Sequence, residues 1–413
     1  MNKPHAETSD QIIQRHDAYL INCYPRYRAT MVRGEGCYLY DNQGAHYLDL
    51  FAGFGAGLLG HCHPDVVTAI TTQAQTLLHP GNLFHTEPQT LVAEAIARHG
   101  FAGRSFFCHS GADANEAALK LARLYGKAKP GSQDPANGGR FKVICTYQSF
   151  HGRTFGTMPA TGQSTVARRF EPHLPGFVHV PYNDAEAVAA CIDDQTVAVM
   201  AEPLQGEGGV IVPDDAYLPA LRSLCDRHDL LLICDEVWTG CGRTGQWFGH
   251  QHWNIEPDIM TLAKGVGGGL PVGVMCARGK LADYFDCALQ DGVVHASTLG
   301  GNCASMAASA AVLAVIERDG LIDHARKMGQ YARDRLAKAF LDCKNIKSIR
   351  GLGLFIGIEL NQPAKPVVEQ CMAAGILVNA AQQSIIRLAP PLVVNQNQLD
   401  VGLDVLEALI RKL

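Results

Sequence analysis

Leu230-Leu231-Leu232-Ile233-Cys234-Asp235-Glu236-Val237 and, further on, Asp258-Ile259-Met260-Thr261-Leu262-Ala263-Lys264-Gly265 decide how this chain is read. Each is a short apolar run that stops at a charged residue. Runs of this kind, bounded by turn signals, read as buried strands of a parallel sheet. Asp235 and Lys264 then each sit where a strand gives way to a loop, and open α/β sheets bind ligands in the crevice outside the carboxyl ends of their strands. Gly265-Val266-Gly267-Gly268-Gly269 after the lysine lets a ligand approach the backbone closely. A lysine so placed is a candidate for forming a Schiff base with a carbonyl, and the aspartate a candidate partner for a protonated ring nitrogen. On residue type alone, the two would serve equally well as a surface ion pair or a cap.

The bulk properties set the frame. A length of 413 residues suggests two or three domains. An apolar share of 47% and a charged share of 18% suit a globular protein with a large core. The net charge of −5 comes without a basic stripe, which disfavours nucleic acid as a partner. The N-terminal residues lack the apolar core of a signal peptide. Apolar stretches break well before the roughly 18 residues that a membrane span needs. The 14 cysteines form no C-x-x-C pair, and several lie inside apolar runs, as expected of a reduced, cytoplasmic protein. His61-Cys62-His63 stands without a further ligand cluster, and no metal is expected.

Other stretches read in chain order. Cys37–Tyr40 and His46–Leu50 flank a turn at Asp41-Asn42-Gln43-Gly44 and suggest a hairpin. Arg104–Cys108 reads as a strand delivering Ser110-Gly111-Ala112 to the start of a helix that runs to about Lys127. Such a turn offers free N–H groups and a positive dipole end, a phosphate cradle, or else a plain Ser N-cap. Lys129–Gly139 reads as a surface loop. Further strands are expected at Phe141–Tyr147, Val197–Glu202 and Leu270–Ala277, with a helix at about Cys303–Arg318. Gly55–Gly60 and Gly240–Gly245 both fit G-x-G-x-x-G, but neither sits in a strand–turn–helix unit, so both read as turn glycines.

The literal text adds a resemblance. Asp235-Glu236-Val237-Trp238-Thr239-Gly240-Cys241-Gly242-Arg243-Thr244-Gly245, followed by Leu262-Ala263-Lys264-Gly265, resembles the signature of the class III (subgroup II) aminotransferases, which depend on pyridoxal phosphate. Arg33–Asp41, Phe106–Ala112 and Phe150-His151-Gly152-Arg153-Thr154 are most similar to the acetylornithine aminotransferases. The resemblance runs from about Tyr24 to Leu392. It implies an α/β protein of fold type I, with a mostly parallel central sheet in a large domain plus a small α+β domain. The segments would be 1–60 joining the small domain, 61–302 as the cofactor-binding domain, and 303–413 as linking helix and C-terminal small domain.

It also implies roles. Lys264 would hold the cofactor and move protons, and Asp235 would keep its ring nitrogen protonated. Ser110, Gly111 and Ala112 would take the phosphate, Phe150 and Val237 would sandwich the ring, and Trp238 would stand near the ring oxygen. Thr298 would reach the phosphate of a neighbouring subunit, which implies a homodimer with shared active sites. Tyr24, Arg153, Glu207, Ser297 and Arg387 would contact substrate, with Glu207 and Arg387 pairing as a gate. The expected reaction moves the terminal amine of N2-acetyl-L-ornithine to 2-oxoglutarate, a step of the arginine-biosynthesis type. Ornithine, succinylornithine, GABA, lysine or a diamine as donor, or an aminomutase or racemase on the same fold, are the other readings. The chain departs from the family's pattern at Asp113 for Glu, Trp238 for Gln, Leu299 for Phe and Cys303 for Pro.

Overall fold

A computed structural model describes residues 7–129 and 139–413, so most of the expected surface loop lies outside the described residues. An N-terminal helix, Ser9–Tyr19, precedes strands β1 (Met31–Glu35), β2 (Tyr38–Asp41) and β3 (His46–Asp49). Then come β4 (Gly103–Cys108), β5 (Lys142–Thr146), β6 (Phe177–Val180), β7 (Thr196–Ala201), β8 (Leu231–Asp235), β9 (Ile259–Leu262) and β10 (Gly273–Arg278). The C-terminal part adds β11 (Ile346–Leu352), β12 (Phe355–Leu360), β13 (Ile376–Leu377), β14 (Asn379–Ala381) and β15 (Ile385–Leu388).

The seven strands β4 to β10 form one sheet in the order β4-β10-β9-β8-β7-β5-β6. Strands β5 to β9 run parallel to one another, and β10 runs antiparallel to both β9 and β4. Every residue of β7, β8 and β9 is buried, because helices cover both faces of a parallel sheet. On one face Leu119, Leu121 and Ala122 of the helix Gly111–Lys127 pack with Val143, Met200, Ile233 and Met275. On the other, Leu218, Leu221 and Leu224 of the helix Tyr217–His228 meet Val199 and Leu232. The chain is therefore α/β with a mostly parallel central sheet, as the resemblance implies.

Two smaller sheets flank it. Strands β1, β2 and β3 form an antiparallel meander, and β13 completes it by pairing parallel to β3, Ile376 opposite Leu48. The N-terminal hairpin is thus finished by a strand from the far end of the chain. The other sheet, β11-β12-β15-β14, is antiparallel throughout. The helix Cys303–Arg318 lies against the helices Pro64–Thr76 and Glu87–His99 and leads into this C-terminal part.

Candidate active site

The neighbouring parallel strands β8 and β9 put Asp235 opposite Thr261. Lys264 therefore emerges beside Asp235 at the carboxyl edge of the sheet. Both line one cleft of about 460 Å³, together with Ser110, Gly111, Ala112, Phe150, Arg153 and Val237. Lys264 holds a left-handed backbone, with φ of 48°. Such strain in a residue other than glycine persists only where the surroundings fix it. Loss of water pushes its ammonium down to about 8; Arg387 adds to the depression, while Glu207, Asp235 and Glu202 oppose it.

Asp235 is 3% exposed and carries a dense set of donors. Its Oδ2 accepts from Asn115 Nδ2 and His151 Nδ1, each at 2.8 Å, and its Oδ1 accepts from the Val237 amide at 3.0 Å. Oδ1 keeps room for one more donor, and the carboxylate faces the cleft. Thr261 Oγ1 donates to Asn115 Oδ1 at 2.7 Å, which fixes the amide's orientation. Glu202 lies behind, accepting from the amides of Phe150 and Gly206 at 3.0 Å. Burial raises its carboxyl to about 7, opposed by His151 and reinforced by Asp235. Asn115, His151 and Glu202 complete this network without a mark in the sequence, because they come to Asp235 and its surroundings from distant parts of the chain.

The helix Gly111–Lys127 starts at this cleft with Ser110 as N-cap. The Ser110 hydroxyl accepts from the Asp113 amide at 3.1 Å and donates to Asp113 Oδ2 at 2.6 Å. The first-turn N–H groups of Gly111 and Ala112 have no intrahelical partner and stand at the positive end of the dipole. A Cβ on Gly111 would lie 3.0 and 3.1 Å from the Val237 methyls, so the glycine lets the helix start press close against the strand ends. A carboxylate with a spare acceptor position, a lysine amine and an anion-binding helix end thus share one cleft. These are the demands of pyridoxal phosphate (a ring nitrogen, an aldehyde and a phosphate), and the residues present fit it.

Deeper in, Arg387 on β15 pairs with Glu207, Nη1 to Oε1 at 2.9 Å. Its Nη1 also donates to the Gly206 carbonyl at 3.0 Å, and Nη2 to Asn379 Oδ1 at 2.8 Å. Burial alone would raise the Glu207 carboxyl, yet Arg387 and Lys264 outweigh it and hold it below its usual range. Trp238 lies beside this pair. Its indole N–H donates to Glu207 Oε1 at 3.3 Å, and its ring stacks on Phe355 with centroids 4.9 Å apart. It is packed inside an aromatic cluster and its N–H is committed there.

Arg153 is exposed at the rim of the same cleft, its guanidinium 5.5 Å from the Phe150 ring centroid. Other expected residues lie apart. Ser297 and Thr298 border a separate cleft with His109 and Asp113, Ser297 Oγ lying 3.3 Å from His109 Nδ1. Tyr24 is 66% exposed with Arg26 over its ring, on a segment with no strand or helix to dock it. One chain by itself does not bring Tyr24, Ser297 or Thr298 into the Lys264 cleft.

Comparison with known proteins accords with this geometry. The model of the family described as aminotransferase class-III matches residues 22–410. An acetylornithine aminotransferase of Gloeobacter violaceus is 43% identical over 97% of this chain and 98% of its own. One from Caldanaerobacter subterraneus subsp. tengcongensis is 43% identical over 96% of this chain and 98% of its own. Among solved structures, an ornithine aminotransferase of Toxoplasma gondii superposes with a TM-score of 0.91 at 29% identity, covering 98% of this chain and 95% of its own. A second structure of that protein is described with partial occupancy of PLP at its active site.

Proposed function

The chain belongs to the class III aminotransferases, and from that membership we propose that it carries the terminal amino group of N2-acetyl-L-ornithine to 2-oxoglutarate, giving N-acetylglutamate semialdehyde and glutamate. The enzyme is a pyridoxal phosphate-dependent transaminase. The donor rests on the near full-length likeness, at 43% identity, to proteins named acetylornithine aminotransferase. Ornithine is the second reading, favoured by the T. gondii structure at 29% identity.

Pyridoxal phosphate, when bound, supplies an aldehyde for the amine and a ring that accepts the electrons of a cleaved C–H bond. Lys264 takes and returns the migrating proton at Nζ; an amine with its pKa near 8 is partly free base at neutral pH, which general acid–base work needs. Asp235 would offer its carboxylate to a protonated ring nitrogen, with Asn115 and His151 holding that carboxylate in place. Gly111 and Ala112 would receive the phosphate on their N–H groups, and Phe150 and Val237 would enclose the ring. Arg153 and Arg387 take the carboxylates of the dicarboxylate acceptor, the guanidinium suiting a bidentate grip.

We place two copies at one interface. Leu83 is 94% exposed, Phe84 65%, Val293 75% and Leu299 54%. Asn82 Nδ2 donates to the carbonyls of Ser297 and Gly300, which joins the first of these segments to the stretch carrying Thr298. A joined apolar surface of this kind suits a second copy of the chain. Tyr24, Ser297 and Thr298 would then complete sites across the interface. The 14 cysteines, none of them in a disulfide, support a cytoplasmic setting. No helix among the described residues is long and apolar enough to cross a membrane.

The test is glutamate formation by the purified holoenzyme from 2-oxoglutarate with each candidate amine in turn. N-acetylornithine should give the highest kcat/KM. A preference for ornithine, GABA or a diamine would reassign the donor, and no glutamate with any amine would remove the transaminase reading.

A further inference from the structure

Trp238 touches Glu207, Arg387 and Lys264 at once. Its N–H and Arg387 Nη1 both reach the same atom, Glu207 Oε1, at 3.3 and 2.9 Å. Its ring lies 4.2 Å from Lys264 Nζ and 4.8 Å from Arg387 Cζ. The site is built around this ring. A Cβ on Gly55 would fall 2.5 Å from Trp238 Cζ3, and one on Gly206 would fall 2.8 Å from Cδ1.

For Arg387 to grip an acceptor carboxylate, it must part from Glu207. Arg387 is the fixed member. It is 1% exposed, bonded to Gly206 and Asn379, and set over the rings of Phe51 and Trp238. Glu207, whose side chain is 26% exposed, is the member able to swing. When it swings, it gives up the indole N–H as well as the guanidinium, and the buried N–H loses its acceptor. A side chain without that donor would let the carboxylate leave more readily.

We propose that Trp238 is a positioning residue that latches Glu207 onto Arg387, and that it sets specificity by resisting entry of dicarboxylate acceptors while leaving the closed pair in place for the amine donor. This rests on the proposed function, in which Arg387 receives an acceptor carboxylate. A hydrogen bond to a charged group corresponds to roughly tenfold or more in an equilibrium, and that sets the expected effect.

The test is titration calorimetry of the holoenzyme with glutarate, a dicarboxylate without the reactive keto group. Trp238→Phe keeps an aromatic ring in the cluster but removes the N–H, and Trp238→Leu serves if the first variant does not retain cofactor. Loss of the latch should tighten glutarate binding by roughly tenfold or more, whereas a merely structural role would weaken it. Arg387→Ala should abolish binding. Trp238 variants that bind glutarate no more tightly than the wild type, while Arg387→Ala loses it, would overturn the latch and leave the acceptor reading standing. Unchanged binding by Arg387→Ala would remove both.

Discussion

Lys264 shows how a side chain's surroundings set its chemistry. Burial holds its ammonium at about 8 against an ordinary 10.5. Between those values the folded protein binds fewer protons than the unfolded chain, so stability rises with pH across that window. Below about pH 8 both states are protonated and the cost of the buried charge is constant. In the cofactor-free protein, Lys264→Met should therefore be the more stable form at neutral pH. The gap should shrink towards pH 10.5 by on the order of 2 kcal/mol, allowing for the surface of the lysine that remains accessible to water. Urea midpoints of the two proteins between pH 7 and 10.5 would check this, and a gap that does not change with pH would contradict it. Lys264 and Asp235 were readable in the sequence because each ends an apolar run. Asn115 and His151 were not, because they meet Asp235 from 120 and 84 positions away and the chain order carries no mark of that contact.

At the scale of elements, the start of the helix Gly111–Lys127 and the ends of β8 and β9 form a rigid frame for the cleft. Gly111→Ala would push a methyl to within 3.0 Å of Val237. Apoprotein carrying that change should fold and bind pyridoxal phosphate several-fold to roughly tenfold more weakly, on the scale of one perturbed charge-assisted bond. Equilibrium dialysis measures this, and unchanged affinity would count against the helix start as the phosphate seat. The buried strands and the helix Cys303–Arg318 were legible from their apolar runs and helix formers. Direction was not. The apolar residues of β10 look like those of β9, yet β10 runs antiparallel because it closes the sheet between β9 and β4. Strand β6, at the sheet edge and only partly buried, and strand β1, mostly exposed, lack the continuous apolar run that marks the inner strands. The helix Tyr217–His228 is weakly marked although Leu218, Leu221, Leu224 and Cys225 repeat at helical spacing. Its N-cap position is Ala216, which offers no capping side chain.

The whole molecule joins distant parts of the chain. Strand β13 completes the N-terminal sheet, and Arg387 from β15 reaches Glu207 beyond β7. A site shared between two copies predicts complementation. Lys264→Ala and a Thr298 variant, each weak alone, should recover activity when mixed and reassociated, because the hybrid then holds one site with both native residues. No recovery in a verified hybrid would place Thr298 at its own chain's cofactor. The central claim is that this cleft takes the amine from N-acetylornithine, and one measurement tests it most directly. The absorbance of the cofactor-loaded enzyme is recorded before and after N-acetylornithine is added, with no 2-oxoglutarate present. The band of the lysine-bound cofactor should give way to that of pyridoxamine phosphate, and 2-oxoglutarate should then restore it. A band that stays with N-acetylornithine but shifts with ornithine, GABA or a diamine would contradict the donor, and a band that no amine shifts would contradict amino transfer itself.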